Sequence, residues 1–474
     1  MPAMNSDDLL KGVSAYWDRE ILPTLTEFIR IPNESPSFDR DWERNGHMAR
    51  AMELVAEWVR AQALPGARLE VVKEGTRTPL LLVEVPGALE ETVLIYGHID
   101  KQPPMTGWRE GLGPWLPVQD DEGRLYGRGG ADDGYSVFAA VATLKALQAA
   151  GQPHGRIVIL IECCEESGSP DLPHYLAACA ERIGKPSLVI CLDSGCGDYA
   201  RLWGTTSLRG LLTVSLKVEV LSEGVHSGIA GGIAPSPIRI MRQLLDRIED
   251  SATGRTRVPE LEVEIPPARV EQARQTARIL GGAIVADLPF LAGVHPEGDD
   301  YVELLLNSTW RSAVAVTGQE GIPELEKGGN VLLPSYALKI ALRIPPTLPH
   351  ATAGQAIRRL LEADPPHGAK ITVSAGGMPG WEAPPFAPWL ERAAEESSRA
   401  VFGEEACFFG LGGTIPFMSM IGERFPESQF FITGVLGPKS NAHGPNEFLH
   451  VPYAKRLTAC LAHLLAAHHA EHAG

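Results

Sequence analysis

Apolar residues recur at helical spacing over residues 48–62 (MARAMELVAEWVRAQ), which predicts a helix. LLLVEV at 80–85 and TVLIYG at 92–97 are unbroken apolar runs and predict strands. The pattern then predicts a helix over 135–150, stopped by Gly151, a strand at 157–162, a helix near 171–183 and a strand at 187–193. The last hundred residues repeat the style, with a helix at 386–402, a strand at 429–435 and a helix at 452–468. Strands that alternate with helices and are apolar along their whole length belong in a buried, mostly parallel sheet.

The middle of the chain has a different rhythm. From about 207 to 378 the order is strand TVSLKVEV, helix PIRIMRQLLDRIED, strand VLLPSYALKIALRI, helix AGQAIRRLLEA and strand KITVSAG, which suits an α+β sandwich of ferredoxin-like type. The simplest assembly joins 1–206 to 379–474 as one α/β domain and inserts 207–378 as a second.

Composition narrows the partners. Against 42 Lys+Arg stand 59 Asp+Glu, a formal charge of −17, which disfavours nucleic acid or an anionic membrane as the main partner. Seven cysteines, two of them adjacent at 163 and 164, predict no disulfide framework and a reducing compartment. The polar, acidic start shows no signal peptide, and no apolar run approaches the length of a membrane span. A soluble cytoplasmic protein is expected.

The candidate chemistry lies where the strands end. TVLIYG runs into His98-Ile99-Asp100, IVILIE into Glu165-Glu166, SLVICL into Asp193, and QFFITGV through a short loop into His443. Gly127-Arg128-Gly129-Gly130-Ala131-Asp132-Asp133-Gly134 opens the 135–150 helix. Ligands of open α/β sheets bind outside the carboxyl ends of the strands. Singly, each feature has a plainer explanation: a hydrogen-bonded pair, a solvated turn, or an acid beside a helix N-terminus. Together they suit a two-metal hydrolytic site with a bridging carboxylate, terminal His and carboxylate ligands and an activated water. Asp100 is placed to orient His98. If the chain stays extended, Glu165 and Glu166 point to opposite sides, one as ligand and the other as general base. There is no G-x-S-x-G elbow and no P-loop, and Cys163 and Cys164 read as core.

Seven segments resemble the M20 metallopeptidases, especially their carnosinase-like dipeptidase and carboxypeptidase branch. They are YGHID (96–100), GRGGADD (127–133), EESGS (165–169), LDSG (192–195), GVHSG (224–228), GGTIP (412–416) and AHGPNE (442–447), in family order. The resemblance implies a phosphorylase/hydrolase-like catalytic domain with an inserted lid and dimerisation domain. It implies that His98 and Asp193 hold one metal, Glu166 and His443 the other, and that Asp132 bridges them. The metals expected are two divalent ions per chain, zinc first, with manganese or cobalt as alternatives. Asp100 would orient His98, Glu165 would be the general base, and the Asp132–Asp133 peptide would be cis. His226 would act in trans across a homodimer as an oxyanion stabiliser, Arg343 would grip the substrate carboxylate, and Asn330 and Thr414 would contact substrate.

The sequence departs from the family pattern in three places. Gly134 stands where lysine usually follows the two aspartates, and Gly410-Leu411 stand where the dipeptidase branch often has Arg-Glu. Asn441 occupies a frequent aspartate position. The loss of a charged pair suggests a less polar substrate side chain. The reading is a dinuclear metal-dependent hydrolase of amide bonds in dipeptides or short peptides with a free C-terminal carboxylate. An N-acyl amino acid deacylase using the same site is the alternative within the fold; a catalytically silent dimeric binding module is the alternative in another class.

Overall fold

The computed structural model describes residues 4–473. It divides into two compact units. The first holds the chain up to Thr206, Ala383–Phe409 and the segment from Pro416 on; the second holds Ser207–Glu382 and Gly410–Ile415.

The first unit is built on a mixed sheet. Its centre is four parallel strands in the order Gly155–Glu162, Leu89–His98, Pro186–Cys191 and Gln429–Ile432. Antiparallel strands flank this centre: Leu80–Val85 and then Arg68–Val72 on one side, and Trp203–Leu208 on the other, where Thr205 pairs with Ile432. The parallel character predicted from the apolar runs therefore holds for the middle of the sheet. Leu80–Val83, Ile157–Ile161 and Leu188–Cys191 are fully buried, as strands covered on both faces must be.

The helix Tyr135–Ala149 is buried continuously from Tyr135 to Leu144, because its sequence is apolar all round rather than on one stripe. It packs against the long C-terminal helix Val451–His472, which in turn meets Pro388–Phe402. Since the central strands are parallel, their carboxyl ends share one rim: His98 pairs with Glu162, Tyr96 with Cys191, and Ile432 with Cys191.

In the second unit four antiparallel strands run in the order Ala313–Glu320, Ser335–Ile344, Gly210–Glu219, Lys370–Met378. Residues of Gly210–Glu219 and Ser335–Ile344 alternate between buried and more exposed, and the buried face packs on helices Pro237–Ile248 and His350–Glu362. The order of elements is the ferredoxin-like one. Its edge strand Ala313–Glu320 and the helices Pro267–Leu280 and Tyr301–Thr309 were not predicted; that strand is largely exposed, and its apolar run is short and gives way to polar residues. Among the described residues no helix is long and apolar enough to cross a membrane.

Candidate metal centre

The first unit's rim gathers the acids and histidines. His98 ends its strand and is fully buried. A Cβ at the preceding Gly97 would lie 2.1 Å from Ser136 Oγ and 2.6 Å from Asp133 Oδ2, so only glycine lets the glycine-rich loop come this close to the strand. The His98 N–H donates to Asp133 Oδ2 at 3.2 Å. Its Nδ1 lies 3.1 Å from the Asp100 carbonyl oxygen and 3.5 Å from Asp100 Oδ1.

Glu165 and Glu166 do not continue an extended strand. They form a 3₁₀ turn, Glu165–Ser167, and Asp100 makes it: its Oδ1 accepts the Glu165 N–H at 3.1 Å and its Oδ2 the Glu166 N–H at 3.0 Å. The two glutamates therefore sit in a turn and not in the alternation of a strand.

Asp132 is the hub. Its Oδ1 lies 3.3 Å from His98 Nε2, and its Oδ2 lies 3.0 Å from His443 Nε2. Asp193 Oδ1 is 3.8 Å from the same His98 nitrogen, and Glu166 Oε2 is 3.4 Å from the same His443 nitrogen. One oxygen of Asp132 therefore faces each of two donor groups, His98 with Asp193 and His443 with Glu166. The Asp132–Asp133 peptide is cis. The His443 side chain is 56% exposed while that of His98 is fully buried, so the two groups differ in their access to solvent.

This donor set fits divalent cations. His98 Nε2 and Glu166 Oε1 are buried without any hydrogen-bond partner, an expensive state for groups that can coordinate. Ligand-capable atoms of His98, Asp132 and Glu166 lie within 4.8 Å of one another, and so do those of His98, Asp133 and Asp193. Burial, and then the charge of Asp193, push Glu165 well above the usual carboxylate range. Burial, and then Asp132, push Glu166 up to about 8. Carboxylates crowded this closely in a water-poor pocket repel one another, and multivalent cations relieve that repulsion.

Several residues that hold the site together were not singled out from sequence. Glu447 Oε1 accepts the backbone N–H groups of Gly129 at 3.0 Å and of Ala131 and Asp132 at 3.3 Å, while its Oε2 meets Arg128 Nη1 at 2.6 Å. Arg128 Nη2 donates to the Gly444 carbonyl at 2.6 Å. Gln102 donates to Glu166 Oε2. Lys101, fully buried, donates to the carbonyls of Phe28 at 2.8 Å and Ile31 at 2.7 Å. Asp133 has a buried Oδ1 with no partner, and burial followed by Asp193 pushes it up. Both Arg128 and Glu447 stand inside motifs already noted, but nothing local says that they pair.

The remaining predicted residues lie in the second unit. Val225–His226 pairs with Val331–Leu332, and the Ser227 N–H donates to the Asn330 carbonyl at 2.9 Å, so His226 and Asn330 are neighbours. His226 is exposed, and its Nδ1 accepts the Gly228 N–H at 3.1 Å, which leaves the proton on Nε2. Arg343 Nη1 donates to Thr414 Oγ1 at 3.2 Å, and that hydroxyl donates to the Arg209 carbonyl at 2.5 Å.

Two departures have local reasons. A Cβ at Gly134 would lie 2.2 Å from Phe28 Cε1 and 2.5 Å from the Gly129 carbonyl oxygen, so no lysine fits there. Asn441 donates from Nδ2 to the Pro445 carbonyl and closes the His443 loop, a bond that an aspartate cannot donate.

The family model described as Peptidase family M20/M25/M40 matches residues 94–467. The chain belongs to this family. It is a peptidase by that membership, and the M20 assignment covers the site residues from His98 to His443. A cysteinylglycine-S-conjugate dipeptidase of Corynebacterium striatum is 28% identical over 91% of this chain and 96% of its own length. The human beta-Ala-His dipeptidase is 27% identical over 90% of this chain and 86% of its own. The crystal structure of human carnosine dipeptidase 1 superposes with a TM-score of 0.77 at 22% identity, covering 98% of this chain and 99% of the other, which shows a shared fold.

Proposed function

We propose that this M20 chain is a dinuclear metal-dependent dipeptidase that hydrolyses the amide bond of dipeptides or short peptides with a free C-terminal carboxylate. The observation that carries the reading is Asp132, whose two oxygens face two separate His–carboxylate groups at 3.3 and 3.0 Å. His98 and Asp193 would hold one cation, Glu166 and His443 the other, with Asp132 between them. Two such cations, zinc by preference and manganese or cobalt as substitutes, would supply Lewis acidity to the scissile carbonyl and lower the pKa of an attacking water.

The chain's own groups do the rest. Glu165 takes the proton of the water and passes it to the leaving amine, a role suited to a carboxyl held above its ordinary pKa. Asp100 positions both His98 and the Glu165–Glu166 turn. In the second unit, read as the lid and dimerisation domain, Arg343 grips the substrate carboxylate and Thr414 and Asn330 contact substrate. His226 offers its Nε2–H to the developing oxyanion of a partner subunit's substrate. The homodimer is supported by apolar side chains beside His226: Ile229 is 75% exposed, Ile233 84% and Val331 50%. All seven cysteines are free and buried, which supports a reducing, cytoplasmic setting.

The test is a panel of dipeptides, tripeptides and N-acetyl amino acids, offered to metal-stripped protein reloaded with zinc, manganese or cobalt, with Glu165→Ala alongside. Metal-dependent dipeptide cleavage that falls by about 10²-fold or more in Glu165→Ala, with metal content kept, supports the proposal. Cleavage confined to acyl amino acids moves it to the deacylase reading. No turnover with any metal favours the silent binding module.

A further inference from the structure

Arg209 lies in the second unit, immediately before the strand Gly210–Glu219, and is only 8% exposed. Its Nη1 donates to the carbonyls of Asn307 and Arg311, both at 3.2 Å, and so caps the end of the helix Tyr301–Thr309. That anchors one edge of the guanidinium. The other edge faces the Gly410–Ile415 segment: a Cβ at Gly412 would lie 2.9 Å from Nη2 and 3.5 Å from Nε. Nε is buried without a hydrogen-bond partner. Gly412 is what lets the guanidinium lie against this loop, and next to it Gly413 has open space in the direction of a Cβ.

Arg343 is held on the same loop through Thr414, whose hydroxyl also donates to the Arg209 carbonyl. Arg343 lies opposite Leu211 in the sheet, two residues from Arg209. Burial first, and the Arg343 charge second, pull Arg209 down to about 10. The neighbouring Arg311 is neutralised by Glu303 at 2.8 Å. Among the described residues neither Arg209 nor Arg343 has a carboxylate within ion-pair distance. Two close cations, one of them buried, raise each other's cost, and a ligand carrying two negative charges relieves both.

We infer that Arg209 and Arg343, with Thr414 between them, form a two-cation subsite for peptides whose C-terminal residue carries a second carboxylate, an aspartate or glutamate. This rests on the dipeptidase reading and names its substrate class. It also changes the expectation of a less polar substrate: the charge lost where Gly410-Leu411 replace Arg-Glu is supplied from residue 209. A glycine at 410 is required there as well, since a Cβ would lie 2.6 Å from Ser207 Oγ and 3.0 Å from Thr309 Cβ.

The experiment compares Ala-Glu with its neutral isostere Ala-Gln on the metal-loaded full chain, in wild type, Arg209→Gln and Arg209→Lys. Wild type is expected to favour Ala-Glu in kcat/KM by about tenfold or more, mainly through KM. Arg209→Gln is expected to bring the Ala-Glu to Ala-Gln ratio to about one, and Arg209→Lys to restore part of it. A structural role alone would lower both substrates together and leave the ratio unchanged, and that result overturns the inference. If Arg209→Gln does not fold, the wild-type ratio decides: equal cleavage of Ala-Glu and Ala-Gln overturns the subsite while the dipeptidase reading stands. Cleavage of neither overturns the dipeptidase reading itself.

Discussion

Arg128 and Glu447 form an ion pair at 2.6 Å although 319 residues separate them, and neither side chain is more than 1% exposed. Through it the glycine-rich loop that carries Asp132 is tied to the loop that carries His443. Glu447 spends its other oxygen on three backbone N–H groups, including that of Asp132 itself. The Asp132 loop is therefore positioned by a buried charge that touches no candidate ligand side chain.

Removing Glu447 leaves the Arg128 guanidinium buried without its counter-charge and three N–H groups without an acceptor. Glu447→Ala is expected to cost about 3–5 kcal/mol of stability. It should also lower metal content. The double change Arg128→Ala with Glu447→Ala should cost less than the sum of the two single changes, because no orphan charge remains. Urea denaturation of the four proteins checks this; strict additivity would mean that the pair is not coupled.

Metal removal should destabilise as well as inactivate. Carboxylate oxygens of Asp132, Glu166 and Asp193 lie 3.0–3.8 Å from His98 or His443 nitrogens, and bound cations would relieve the repulsion among these buried acids. A cation present at a hundred times its Kd stabilises the folded chain by about 2.7 kcal/mol. Melting after dialysis against a chelator should fall, and zinc, manganese or cobalt should restore it in proportion to occupancy. An unchanged melting temperature on full removal would contradict the proposed ligand set.

His468 gives a pH signature away from the site. It is fully buried on the helix Val451–His472, with Nε2 2.7 Å from Ser187 Oγ and Nδ1 without a partner. Burial first, then His472 and His469, pull it from 6.5 down to about 3. Between those values the unfolded chain binds a proton that the folded chain refuses, so stability rises with pH across this window and is lost as pH falls through it. From pH 7 to 5 the loss from this one group is about 2 kcal/mol. His468→Gln, which can keep the contact with Ser187, should show a correspondingly flatter dependence. Equal slopes in the two proteins would dismiss the assignment.

Gly134→Ala tests why the family's lysine is absent. The added carbon would meet Phe28 Cε1 at 2.2 Å and the Gly129 carbonyl oxygen at 2.5 Å, and the second of these is backbone. A cost of about 1–3 kcal/mol is expected, with a larger one for Gly134→Lys. Denaturation midpoints decide it; a neutral substitution would show that the loop can move.

How much of this could be read beforehand follows from the range of each interaction. Leu80–Val85, Leu89–His98, Gly155–Glu162 and Tyr135–Ala149 appear close to where the apolar runs place them, because buried strands and a buried helix announce themselves in their own residues. The exposed edge strand Ala313–Glu320 makes no such announcement. The sequence left open whether Glu165 and Glu166 stay extended, and the turn Glu165–Ser167 is shaped by Asp100, which lies 65 and 66 residues away.

The sequence by itself determined the order of the buried elements, the family, and the chemical kinds of donor at the ends of the strands, since these are properties of short segments and their spacing. Only the tertiary structure decided that Asp132 turns one oxygen to each histidine, that Glu447 holds its loop, and that Arg209 is left beside Arg343 without a carboxylate. Those relations join residues far apart in the chain. They depend on distances of a few tenths of an ångström, on burial, and on which partner each polar group finds once water is excluded, and no local pattern of residues encodes them.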